Sequence, residues 1–145
     1  MYEKYTRQSL PERKYRELLG SALCVFNSNN AFIIENILKD NNIDTTWRYL
    51  IDQESGKLEP FLLERLDDEG ELGQQIIALF KSIVDKRNRI IHGFQVTDKD
   101  GRQILATKER ENRGGRQFHI TEEFLHDFIK DNETLSVLLH QLRGY

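Results

Sequence analysis

Apolar residues recur at helical spacing over most of this chain and change to strand-like alternation only between residues 94 and 120. The most regular stretch runs from Gly70 to Phe94 and reads GELGQQIIALFKSIVDKRNRIIHGF. At about 100° per residue, Leu72, Ile76, Phe80, Ile83, Ile90 and Ile91 form one broad apolar face, with Ile77 and Val84 at its edge. Arg87 falls near the middle of that face, where an unpaired guanidinium is costly. Asn88 and His92, four apart, share its margin, and Gly93 reads as the helix stop.

Upstream, Ser9-Leu10-Pro11-Glu12 fits a capping box with proline in the first turn. Tyr15, Leu18, Leu19, Ala22, Val25, Phe26, Ile33, Ile37 and Leu38 predict one long helix over about 11–40. The polar patch Asn27 to Asn30 interrupts the pattern and reads as a solvated kink; the alternative is that Asn29 and Asn30 are buried amides. Asn41-Asn42 ends this helix, and Thr45 or Thr46 caps a shorter one carrying Trp47, Leu50 and Ile51 that stops at Ser55-Gly56. Pro60 starts another through Leu62, Leu63 and Leu66, and the acidic run Asp67 to Glu71 suits the start of the central helix.

Beyond Gly93, two strand-like segments, Phe94 to Asp98 and Arg102 to Thr107, flank the turn signal Asp98-Lys99-Asp100-Gly101. Lys108 to Arg116, KERENRGGR, is a polar, basic loop, and Gln117 to Ile120 returns as a third strand. Thr121 with Glu122 and Glu123 caps a last helix, whose apolar side includes Phe124, Leu125, Phe128, Leu135 and Leu139. The expectation is a single mainly α domain over residues 1–145, an antiparallel helical bundle with a small β-hairpin or three-stranded insertion before the C-terminal helix.

Composition narrows the setting. Hydrophobic residues make up 38% and charged residues 31%, which describes a charge-rich globule with a real core rather than a disordered chain. No apolar run approaches a membrane span, and MYEKYTRQSL is too polar for a secretion signal, so a cytoplasmic protein with no membrane partner is expected. The single cysteine, Cys24, excludes an internal disulfide and reads as a core residue of the first helix. His119, His126 and His140 have no ligand spacing with one another or with Cys24, so neither a zinc site nor a cofactor is expected. The net charge of -3 gives no overall pull towards nucleic acid, and any such binding requires a local patch. Arg110, Arg113 and Arg116 of the basic loop, extended by Lys86 and Arg89 of the central helix, are the candidate RNA-binding residues.

The run Arg87-Asn88-Arg89-Ile90-Ile91-His92 resembles the signature of HEPN (higher eukaryotes and prokaryotes nucleotide-binding) domains, in which Arg, a polar residue, a spacer and His close a long helix. The order of a long early helix, a motif helix and a C-terminal helix is similar too. The resemblance implies a metal-independent endoribonuclease assembled across a homodimer, with Arg87, Asn88 and His92 of both chains lining one groove. His92 would act on the RNA 2′-OH, Arg87 would stabilise the phosphate, and Asn88 would orient His92. The family also contains toxins with cognate antitoxins and antiphage effectors, so an antitoxin or defence-system partner belongs to the same expectation. In antitoxin-regulated members a tyrosine two residues past the histidine receives AMP; Phe94 stands there and has no hydroxyl. Non-catalytic interaction or nucleotide-binding modules are the alternative that the resemblance leaves open. An ideal helix points Arg87 and His92 about 140° apart, so they converge only if the helix unwinds near Gly93 or a second chain completes the site. A wholly structural role would instead pair Arg87 with an internal carboxylate such as Glu35.

Overall fold

The computed structural model describes residues 2–40 and 42–144, which form five α-helices and one three-stranded antiparallel sheet. In chain order these are α1 (Arg13–Leu38), α2 (Trp47–Ile51), α3 (Glu59–Arg65), α4 (Gly70–Ile91), β1 (Phe94–Thr97), β2 (Gln103–Lys108), β3 (Gln117–Ile120) and α5 (Glu122–Leu142). The chain is mainly α, with a small β insertion before its last helix, as the hydrophobic pattern predicts. Asn41, half of the expected helix break, lies outside the described residues.

α1 and α5 run side by side in the same direction. Lys14 pairs with Glu122 at one end and Glu35 with Arg143 at the other. α4 runs against α5: Lys86 reaches Asp131, while Gly93, further along the chain, approaches Ile120 just before α5 begins. Between these three helices lie Phe26, Ile33, Ile37, Ile76, Phe80, Ile83, Phe128, Leu135 and Leu139, all buried. Removal of that apolar surface from water is the main stabilising term.

The Asn-rich patch is not a kink in solvent. α1 is unbroken through it, and Asn29 is buried, donating from Nδ2 to the backbone oxygen of Asn132 at 2.7 Å and to its Oδ1 at 3.0 Å. Asn132 in turn donates to the Phe128 carbonyl at 2.9 Å. A polar residue on a buried stripe needs partners, and the facing helix supplies them. Nor does Ser9 cap α1, which starts four residues later without a side-chain cap. Ser9 instead accepts a hydrogen bond at its backbone oxygen from Gln95 of β1. Cys24 is exposed rather than in the core, because the buried residues Ala22 and Phe26 stand two positions either side, on the opposite face of the helix. Thr46 and Thr121 cap α2 and α5 as expected, accepting from Tyr49 N at 3.2 Å and Phe124 N at 3.1 Å. Proline lies in the first turn of α3.

The sheet has order β1-β2-β3, with Phe94 opposite Ala106 and Ala106 opposite His119. Its first hairpin is held by Asp98, whose Oδ1 accepts from Asp100 N and Arg102 N at 2.9 Å each. The Arg102 amide is the leading cause that holds this carboxyl below its ordinary value. Tyr15 ties α1 to the sheet, donating its hydroxyl to the Ile120 carbonyl at 2.6 Å and accepting from Leu105 N at 3.1 Å. Leu105 and Ile120 are opposite one another, so the phenol bridges β2 and β3. Burial pushes its pKa up.

Candidate functional site

α4 places the Arg–Asn–His run at the end of the bundle next to the sheet. Its buried side consists of Gly73, Ile76, Phe80, Ile83, Val84 and Ile90, close to the expected face. Ile91 departs from it: at 48% exposure it sits where the apolar stripe outruns its cover. Phe94, the first residue of β1, is 44% exposed beside it in the chain. The same end of α4 therefore shows an uncovered apolar margin.

Arg87 is half-buried. Its guanidinium lies over the Phe26 ring, 5.4 Å from the centroid, and Nη1 donates to Asn88 Oδ1 at 3.2 Å. Among the described residues no carboxylate pairs with it; Glu35 is 3.7 Å from Arg143 instead. Asn88 thus spends its side-chain oxygen on Arg87. The hydrogen bond that links Asn88 to His92 is the helical one, from His92 N to the Asn88 carbonyl at 3.0 Å. The His92 side chain is exposed, without a hydrogen bond or ion pair among the described residues.

The helix does not unwind before the histidine. His92 N and Gly93 N keep their bonds, each at 3.0 Å, and His92 has φ -91° and ψ 12°. The divergence of about 140° between Arg87 and His92 therefore stands within one chain. Gly93 follows the end of the helix as expected, but without a positive φ. A Cβ there would meet the Ile90 carbonyl at 3.0 Å, the Ala106 carbonyl at 3.2 Å and Ile120 Cδ1 at 3.3 Å. Glycine is required because the chain crosses tightly over β2 and β3.

All five basic candidates, Lys86, Arg89, Arg110, Arg113 and Arg116, line one depression of about 360 Å³, together with Phe118 and Phe124. None of the five stands alone. Lys86 is 2.6 Å from Asp131, and Arg89 donates to the Lys108 carbonyl. Arg110 and Arg113 both reach Asp85, at 3.4 and 3.3 Å, and Arg116 is 3.6 Å from Glu109. The loop arginines are substantially exposed, so such pairs contribute only about 0–1 kcal/mol each. Three polar atoms around the depression are buried without a hydrogen-bond partner: Asp85 Oδ1, Arg89 Nε and Glu109 Oε2. Sequence reasoning missed Asp85, Phe118 and Phe124, because the fold alone brings them to the basic loop. The alternation of β3 was an advance signal for Phe118 and the helical spacing of α5 one for Phe124; neither pointed to the basic loop.

A larger cavity of about 530 Å³ lies under the first hairpin, lined among others by Glu12, Tyr15, Asp98, Arg102 and His119. It contains neither Arg87 nor His92. Among the described residues no group of three His, Cys, Asp or Glu is placed to hold a metal ion, and no helix is long and apolar enough to cross a membrane. Comparison of the chain with protein-family models, with curated proteins and with solved structures finds no match.

Proposed function

We propose that the chain is a HEPN-type endoribonuclease that cleaves RNA at a site completed by a second copy. The observation that carries this reading is Arg87: a half-buried cation on the apolar side of α4, with no carboxylate partner among the described residues, five residues before an exposed His92. A structural arginine in that position is expected to have a counter-ion. One left without a counter-ion has its charge available for a phosphate. Because the two side chains diverge within a chain, a symmetric pairing of α4 helices through the Ile91 and Phe94 margin is the arrangement that brings Arg87 of one copy towards His92 of the other.

In that composite site a His92 imidazole takes the proton of the ribose 2′-OH, and the 2′-oxygen attacks the adjacent phosphorus. Arg87 offsets the negative charge that grows on the phosphate oxygens. The P–O5′ bond breaks, and the 5′-oxygen takes a proton from the second histidine or from water. The products are a 2′,3′-cyclic phosphate and a 5′-hydroxyl, and a 2′-deoxy strand cannot react.

The decisive experiment incubates purified protein with single-stranded RNA in EDTA and maps the ends. Cyclic phosphate ends, lost with His92→Ala and absent on DNA, support the reading. Cleavage that survives His92→Ala, or that requires a divalent ion, sinks it. A folded dimer that binds RNA and never cuts it would leave the non-catalytic module in its place.

A further inference from the structure

The depression beside the basic loop has features that simple phosphate attraction does not explain. We propose that it is a subsite for one nucleotide of the RNA strand, with the phosphate held by Arg110 and Arg113, the base against Phe118, and Asp85 as the internal anion that the phosphate displaces. The identity of the strand as RNA rests on the reading above; the subsite itself rests on the following geometry.

Five cations and only two carboxylates line the depression, in a chain whose net charge is -3. The local field therefore favours an anion. Two arginines approach the two oxygens of a single carboxylate, Arg110 Nε at 3.4 Å from Oδ1 of Asp85 and Arg113 Nη1 at 3.3 Å from Oδ2. Two guanidinium groups converging on paired oxygens is the arrangement a phosphate accepts. Both contacts are long, and Oδ1 makes no hydrogen bond although it is buried. Asp85 accepts one hydrogen bond from the loop, from Arg113 Nη1, and holds Arg110 by charge alone.

The unpartnered atoms say what else the ligand carries. Arg89 Nε is a buried donor and calls for an acceptor, which a phosphate provides. Glu109 Oε2 is a buried acceptor and calls for a donor, which a ribose hydroxyl or a base amino group supplies. A nucleotide has both. Phe118 and Phe124, with ring centroids 5.9 Å apart, give the depression an apolar wall on which a base can stack. A volume of about 360 Å³ lies at the small end of the range for ligand sites and suits one nucleotide rather than a folded element. Gly114 and Gly115, at φ 109° and 63°, turn the loop so that its arginines lie over the helix.

The test measures binding to the full chain carrying His92→Ala, so that no probe is consumed. A short fluorescent single-stranded RNA is titrated, then displaced by nucleoside monophosphates, by nucleosides and by inorganic phosphate. Monophosphates should displace the RNA at least about tenfold more effectively than nucleosides or phosphate. Phe118→Leu, which keeps bulk but loses the ring face, should weaken RNA and monophosphate binding by about tenfold and leave phosphate binding unchanged. Arg113→Ala should weaken every anion and reduce the salt dependence of RNA binding. Asp85→Asn should tighten binding several-fold, since it removes the competing charge. Phosphate that displaces as well as a monophosphate would reduce the site to a plain anion trap and overturn the proposal. Binding indifferent to all three substitutions, with melting curves unchanged, would overturn it as well. Monophosphate binding that leaves RNA bound would assign the pocket to a free nucleotide and overturn its place on the strand. If wild-type protein fails to cleave RNA while these responses hold, the nuclease reading falls and the subsite stands; cleavage with none of these responses gives the reverse.

Discussion

Replacing Arg87 by methionine separates a catalytic arginine from a structural one. The guanidinium makes two favourable contacts in the fold: it stacks on Phe26 at 5.4 Å and donates to Asn88 at 3.2 Å. A partly exposed cation–π contact is worth about 0.5–1 kcal/mol and a hydrogen bond of this kind about 1 kcal/mol. Their loss costs at most about 2 kcal/mol. Methionine keeps an unbranched stem against the ring, and it removes a half-buried charge that has no counter-ion among the described residues, which offsets about half of that cost. For 145 residues the unfolding entropy near the midpoint is about 0.3 kcal/mol per degree, so each kcal/mol moves Tm by about 3 °C. Arg87→Met should therefore lower Tm by about 3 °C in a calorimetric or fluorescence melt. RNA cleavage, in contrast, should fall by about 10²–10³, the loss typical of one donor to a developing oxyanion. Arg87→Lys keeps the charge without the planar fork and should recover only part of the rate. A Tm drop beyond about 10 °C, near 3 kcal/mol, would make Arg87 a structural residue. Cleavage at the wild-type rate by the methionine variant would refute the role outright.

Other consequences are as direct. Ile91→Glu places a charge on the uncovered margin of α4 and should convert a dimer to a monomer in sedimentation at micromolar concentration, with cleavage lost and the monomer still folded; a wild-type monomer would remove the composite site. Two histidines acting as base and acid predict a bell-shaped rate against pH, and a flat rate across about pH 5–9 would count against them. Tyr15→Phe removes the hydroxyl between Leu105 N and the Ile120 carbonyl and should cost about 1–3 kcal/mol, read as a Tm loss of about 3–9 °C; a shift under a degree would show that β2 and β3 close on one another instead. The raised pKa of the same phenol means that its contribution is complete below the unfolded value near 10 and is lost as pH rises through the folded value, so alkaline unfolding should begin above about pH 10 and be delayed in Tyr15→Phe. Gly93→Ala forces a Cβ to within 3.0 Å of the Ile90 carbonyl and should destabilise the fold by more than helix propensity alone can recover, seen as a lowered urea midpoint.

Much of the frame was legible before any coordinates. Periodicity alone determines that α1, α4 and α5 are helices and that residues 94–120 are not, because a 3.6-residue repeat and a two-residue repeat cannot share one pattern. The caps at Thr46 and Thr121 followed from short-range chemistry in the same way. The Arg–Asn–His run was likewise visible, since an arginine in an apolar stripe stands out without a structure. Long-range contact decided the rest. Asn29 is buried because Asn132, on a helix 103 residues further on, supplies its partners, and nothing local to the Asn-rich patch reveals that. Ile91 and Cys24 lie in apolar patterns yet remain exposed, because periodicity identifies a face and only the neighbouring elements determine how far it is covered. Gly93 was legible as a helix terminator, but its need for closeness to β2 and β3 comes from tertiary crossing. The gathering of Arg110, Arg113 and Arg116 against Asp85 and Phe118 depends on the sheet folding its loop back onto α4, a contact between segments whose spacing in the chain carries no signal.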